Sequence, residues 1–191
     1  IMRLVMASAN PNKVAEITEL LADYDIEPRP PELGDIFEHE QTLEGNARLK
    51  AATVCREANA AAVADDTGLE VDALGGMPGV RSARYAGEDA TDAANLLKLL
   101  ERMEDVEEAH RTARFRTVAI IVFPDGREVL AHGVVEGTIC TTPRGEGGFG
   151  YDSVFVPDEG RGRTFAQMNA DEKNSISHRG RAFRCLADQL S

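Results

Sequence analysis

Five short polar segments of this 191-residue chain carry side chains able to hold an anion or activate a water. Asp65-Asp66-Thr67-Gly68 sets two adjacent carboxylates at the end of an apolar stretch. Such a pair can hold Mg2+ or polarise a water; it can also form a polar turn in which Asp65 and Thr67 satisfy backbone amides. Ser8-Ala9-Asn10-Pro11-Asn12-Lys13 joins a strand-like run to a helix-like one. Free N–H groups at that helix start, with Lys13, suit phosphate oxygens, although an N-capped helix with a surface lysine also accounts for the segment. The glycines of a Walker A loop are absent. Glu38-His39-Glu40 offers further oxygen ligands or a solvated charge run. Gly147-Gly148-Phe149-Gly150-Tyr151-Asp152 allows close backbone approach, with aromatic rings to stack on a flat ligand and Asp152 to accept a hydrogen bond. Its plainer reading is a loop with Phe149 packed into the core. Finally, Lys173, His178 and Arg179 crowd around Ser175 and Ser177, a cationic island in an acidic chain.

The elements that must position these residues follow from hydrophobic period and turn chemistry. Leu4 to Ser8 reads as a buried strand, and Pro11 suits the first turn of a helix carrying Val14, Ile17, Leu20 and Leu21. A second helix is expected from Thr42 to Ala58, with Leu43, Ala47, Ala51, Val54 and Ala58 on one face. Two strands, Ala61 to Ala64 and Leu69 to Leu74, are expected to flank a turn at Asp65 to Gly68. Thr91 caps a third helix. A hairpin turns at Pro124-Asp125-Gly126, a strand covers Ser153 to Val156, and a helix runs from Arg179 to Leu190. Strands that alternate with helices early and pair as hairpins late predict an α/β fold with a mixed sheet.

Composition narrows the partners. With 21 basic and 33 acidic residues the net charge is −12, which argues against nucleic-acid binding by phosphate neutralisation. Three dispersed cysteines, Cys55, Cys140 and Cys185, fit reduced thiols in a cytoplasmic protein better than disulfides. No apolar run is long enough to span a bilayer, and no signal-peptide pattern precedes Arg3 to Ala7, so no membrane partner is expected.

Taken in order, SANPNK (Ser8 to Lys13), TLEGNARLKA (Thr42 to Ala51), ADDTGLEVDALGGMPGVRSARYAG (Ala64 to Gly87), GGFGYD (Gly147 to Asp152) and EKNSISHRG (Glu172 to Gly180) resemble the inosine triphosphate pyrophosphatase, or Ham1-like, family. Two positions depart from its bacterial pattern: Asn12 where most members have glycine, and His39-Glu40 where Thr-Gly is usual. The resemblance implies a single domain over residues 1–191, two-lobed, with an elongated mixed β-sheet flanked by helices and a substrate cleft between the lobes. It implies a cytoplasmic homodimer that hydrolyses ITP, dITP and XTP to the monophosphate and pyrophosphate with Mg2+. Carried over residue by residue, Ser8, Ala9, Asn10, Pro11, Asn12 and Lys13 would hold the triphosphate, with Lys50 as a further phosphate contact. Asp66 would be the catalytic carboxylate and, with Glu38, a metal contact, and Thr67 would touch the substrate. Phe149, Gly150, Tyr151 and Asp152 would line the base pocket, and Lys173, His178 and Arg179 would complete the site. A Maf-like nucleotide pyrophosphatase and a regulatory nucleotide-binding module are the rival readings.

Overall fold

A computed structural model describes residues 1–191. Its strands are β1 (Arg3–Met6), β2 (Asp25–Glu27), β3 (Ala62–Val71), β4 (Pro78–Gly79), β5 (Thr112–Val122), β6 (Glu128–Ile139) and β7 (Phe155–Pro157). Its α-helices are α1 (Pro11–Leu20), α2 (Leu43–Ala58), α3 (Asp92–Arg102), α4 (Ala170–Ile176) and α5 (His178–Leu190). The strands form one mixed sheet in the order β2-β1-β3-β5-β6-β7, with β4 paired to β3. β1 runs parallel to β2 and β3, while β3–β4 and β6–β7 are antiparallel. The expected α/β class with a mixed sheet is therefore present.

The chain divides into two compact units. Unit 1 comprises residues 1–66, 117–133 and 179–191. Its central strands, β1, the start of β3 and the end of β5, are largely apolar because both faces are covered. Leu4 and Met6, Val63, and Ala119 and Ile121 pack with Ile17 of α1, with Leu21 just past its end, and with Ala182, Phe183 and Leu186 of α5. Residues of opposite parity, Val5, Ala62, Ala64, Val118 and Ile120, pack with Ala47, Ala51 and Val54 of α2. Period-two alternation along each strand thus sorts side chains between two helical layers.

Unit 2 comprises residues 67–116 and 134–178. Leu69, Val71, Leu99, Met103, Phe115, Phe155 and Phe165 form its core. The Phe115 ring meets Phe155 edge-on at 4.7 Å between centroids.

Two sequence expectations need correction. Asp65 to Gly68 is not a turn between two strands but lies inside the single strand β3. Turn-forming residue types yield here because the chain's own cations answer the carboxylates, leaving the backbone free to stay in the ladder. Second, α4 precedes the C-terminal helix. Asn169 caps it by accepting the Glu172 N–H at 2.9 Å, and the Glu172 carboxylate returns the favour to the Asn169 N–H at 3.0 Å. That reciprocal pairing is legible as N-x-x-E. No helix is long and apolar enough to cross a membrane.

Candidate active site

In β3 the alternation that sorts the core also separates the two carboxylates. Asp65 has the parity of Val63 and faces α1 and α5; Asp66 has the parity of Ala64 and faces α2. Both are buried. Neighbours in sequence, they belong to different charge clusters.

On the α1 and α5 side, Asp65 Oδ2 accepts from Arg179 Nε and Nη2, each at 3.2 Å, and meets Lys13 Nζ at 3.3 Å. Arg179 also donates through Nη1 to Glu16. Burial works against the guanidinium charge, but Asp65 and Glu16 outweigh it and hold the Arg179 pKa above its usual value. Lys13 fares differently. Burial, with Lys50 and Arg179 adding repulsion, overcomes the pull of Asp65 and lowers its pKa. An ammonium so short of compensation gains from an incoming anion.

On the α2 side, Lys50 Nζ lies 2.7 Å from Glu38 Oε1 and 3.3 Å from Asp66 Oδ1. Burial opposes the Lys50 charge, yet Asp66, Glu38 and Asp65 more than offset it and raise its pKa. Asp66 is also raised, chiefly by burial, which Lys50 and Lys13 only partly counter. Its Oδ2 is buried without a hydrogen-bond partner. An unsatisfied carboxylate oxygen beside a second carboxylate that already shares a cation with it is a donor set that fits Mg2+, which takes one or two carboxylates plus phosphate and water oxygens. Thr67 follows in β3, half-buried.

The Ser8–Lys13 loop is built around Asn10. Its Oδ1 accepts the N–H groups of Asn12 at 3.0 Å and Lys13 at 3.4 Å, and its own N–H donates to Ser8 Oγ at 3.1 Å. Ala9, Asn10, Pro11 and Asn12 are exposed, while Lys13 reaches inward to Asp65. Asn12 sits in the first turn of α1, where a side chain meets no backbone strain.

In unit 2 the glycine-rich loop closes on Asp152. Its Oδ2 accepts from the Phe149 N–H at 3.0 Å and from Lys173 Nζ at 2.7 Å. Lys173 also lies over the Phe149 ring, 4.8 Å from its centroid. Gly150 donates to Asp92 at the start of α3. Tyr151 does not offer an open aromatic face: it is buried, and its hydroxyl donates to the Ser82 carbonyl at 2.7 Å. Burial, then the nearby Tyr85 and Asp92, raises its pKa. Tyr151 braces the loop. His178 stacks on Phe115 at 4.5 Å between centroids.

The cationic island is thus dispersed. Lys173 is spent on Asp152, His178 lies on aromatic rings, and the Arg179 side chain goes to Asp65 and Glu16 in unit 1. Three residues with evident roles escaped the sequence reading. Asp65 was legible only as half of a pair, Glu16 as one charge on an amphipathic helix, and Asn46 as an unremarked polar residue on the α2 face. An asparagine one helical turn before Lys50, on the face that carries Ala47, Ala51 and Val54, is the signal the sequence offers.

This arrangement, buried carboxylates within β3 answered by cations from α1, α2 and α5, defines an α/β protein with a mixed sheet and paired buried charges. The chain belongs to the Ham1 family, whose model matches residues 4–189. It is 46% identical over 190 residues to the dITP/XTP pyrophosphatase of Streptomyces avermitilis, covering 96% of this chain and 94% of that one. It is also 46% identical over 197 residues to the enzyme of the same name from Thermus thermophilus, covering 98% and 91%. Among solved structures, a HAM1 protein from Coxiella burnetii matches with a TM-score of 0.89 at 39% identity, covering 100% of this chain and 98% of that one.

Proposed function

We propose that this chain hydrolyses the deaminated purine nucleoside triphosphates ITP, dITP and XTP to the monophosphate and pyrophosphate, removing them from the nucleotide pool. The observation that carries this reading is the cluster of half-buried Glu38 with buried Lys50 and Asp66, in a chain closely similar over its length to dITP/XTP pyrophosphatases.

Cleavage falls between the α- and β-phosphates, and water supplies the oxygen of the new P–O bond. Lys13, with the Ser8 to Asn12 loop, holds the triphosphate, and Lys50 is the further phosphate contact. Asp66 orients the attacking water and accepts its proton. Glu38 and Asp66 are the residues to hold Mg2+, which when bound neutralises phosphate charge and polarises the phosphoryl group. Thr67 borders the reacting end. Phe149, Gly150 and Asp152 form the base end with Lys173 and His178, and Tyr151 fixes their loop. A donor aimed at a purine O6 accepts hypoxanthine and xanthine but confronts the 6-amino donor of adenine, a mismatch worth far more than one of shape. The chain is further read as a cytoplasmic homodimer without nucleic-acid or membrane partners. The family resemblance supports the dimer, and three free cysteines fit a reducing compartment.

The test is pyrophosphate release, with and without Mg2+, from ITP, XTP, ATP, GTP, dTTP and UTP. Turnover of ITP and XTP should exceed that of ATP in kcat/KM by about 10²-fold or more. Preference for dTTP or UTP would favour the Maf-like rival. Absence of turnover despite ITP binding would favour a regulatory module.

A further inference from the structure

Asn46 lies in the first turn of α2 and is fully buried, a setting in which a side-chain amide must find partners. Both its partners belong to one residue. Oδ1 accepts the Glu40 N–H at 3.0 Å, and Nδ2 donates to the Glu40 carbonyl at 3.5 Å. The amide therefore imitates one rung of a ladder and ties the Glu40 backbone to the helix. Gly45 makes room for that contact. A Cβ at this position would lie 2.8 Å from Glu40 Cβ and 3.0 Å from the Thr42 hydroxyl oxygen. The same hydroxyl caps α2 by accepting the Gly45 N–H at 3.0 Å. Lys50, which holds Glu38, is one turn along the helix from Asn46 and so shares its face. On either side of Glu38 the side chains face outward: Phe37 is 73% exposed, and its ring stacks on that of the exposed His39.

We propose that Asn46, with Gly45 beside it, is a positioning residue that clamps the Glu38–Glu40 segment onto α2, so that the Glu38 carboxylate stays aimed at Lys50 and Asp66. The clamp acts through Glu38 and touches neither substrate nor metal. It rests on the reading of Glu38 as a ligand for a divalent cation. Loss of the clamp frees Glu38 to swing into solvent and weakens cation binding. The nucleotide contacts of Lys13 and of unit 2 stay as they are.

Full-length Asn46→Ala, Gly45→Ala and Glu38→Gln proteins provide the test through three readouts. These are amide hydrogen exchange at Glu40, Mn2+ binding without nucleotide by electron paramagnetic resonance, and the Mg2+ concentration giving half-maximal ITP turnover. Asn46→Ala and Gly45→Ala should each speed Glu40 exchange by about tenfold or more, as expected when a buried hydrogen bond opens locally. Both should weaken Mn2+ binding and raise the Mg2+ requirement by about 10–100-fold, the range for loss of a residue that orients a metal ligand. The KM for ITP at saturating Mg2+ should stay within about threefold, since uniform substrate binding is untouched. Gly45→Ala gains helix propensity, so it carries the test should Asn46→Ala fail to fold. Unchanged Glu40 exchange would overturn the clamp. So would an unchanged Mg2+ requirement in both clamp variants alongside a raised one in Glu38→Gln. A Glu38→Gln protein with parental Mn2+ and Mg2+ behaviour would remove Glu38 as a ligand and the inference with it, while Glu40 exchange would still separate that failure from a missing clamp.

Discussion

At Asp66 the carboxylate loses most of its hydration on folding, and Lys50 and Lys13 restore only part of it, so its pKa lies above the ordinary carboxylate range. The stability consequence has a definite sign. For a group whose folded pKa is raised, the contribution to stability is fully present below the unfolded pKa, about 3.9 for aspartate, and is lost as pH rises through the folded value. At neutral pH the ionised side chain is therefore a burden on the fold. Asp66→Asn should lower kcat by at least about 10²-fold. The same variant should melt higher than the parent at pH 8 without metal, by about 2–4 °C for each kcal/mol relieved in a chain of this size. That advantage should shrink toward pH 4. Differential scanning calorimetry across pH, beside initial rates, reads both effects. A variant that is folded, active and no more stable would remove Asp66 from the catalytic role. Asp65 differs because Arg179 and Lys13 both answer it.

Among the elements, the loop from Gly147 to Asp152 shows how backbone freedom lets a chain close on one carboxylate. Gly148 has φ +67°, and a Cβ there would lie 2.2 Å from Asp152 Oδ2, the oxygen that holds both the Phe149 N–H and Lys173. Gly148→Ala should accordingly cost about 1–3 kcal/mol in urea unfolding and raise the KM for ITP. Gly150 is the internal control. It also has positive φ, +58°, but its Cβ would meet nothing within 4 Å, so Gly150→Ala should cost only the conformational term of about 1 kcal/mol. Equal losses in the two variants would show that the clash with Asp152 is relieved elsewhere. β3 makes the complementary point. In a strand, the residue after a given side chain faces the other layer, so Asp65 and Asp66 take different direct partners although their charges still feel one another.

For the whole molecule, a net charge of −12 coexists with a handful of cations drawn inward. Lys13, Lys50, Lys173 and Arg179 are each paired with a carboxylate, so none contributes to a basic surface stripe. Cations held in this way offer little to the phosphate backbone of a duplex, so no duplex binding is expected. Anisotropy of a labelled DNA duplex should stay flat on titration with this protein at about 0.15 M salt. Binding that weakens steeply with added salt would contradict that expectation. The sequence alone determined the class of fold, the helices begun by Asn10 and Thr42, and the segments that carry the chemistry. These are local properties: capping residues and hydrophobic period act over a few positions, and motif order survives without coordinates. Tertiary structure decided which charges meet. Asp65 and Asp66 part because a sheet has two faces. Arg179 leaves its sequence neighbours for Asp65, more than a hundred positions away, because a buried guanidinium needs a carboxylate and the packing of α5 brings it that one. Asn46 gained its meaning only once the helix face was seen against Glu40, since pairing across a fold leaves no trace in spacing.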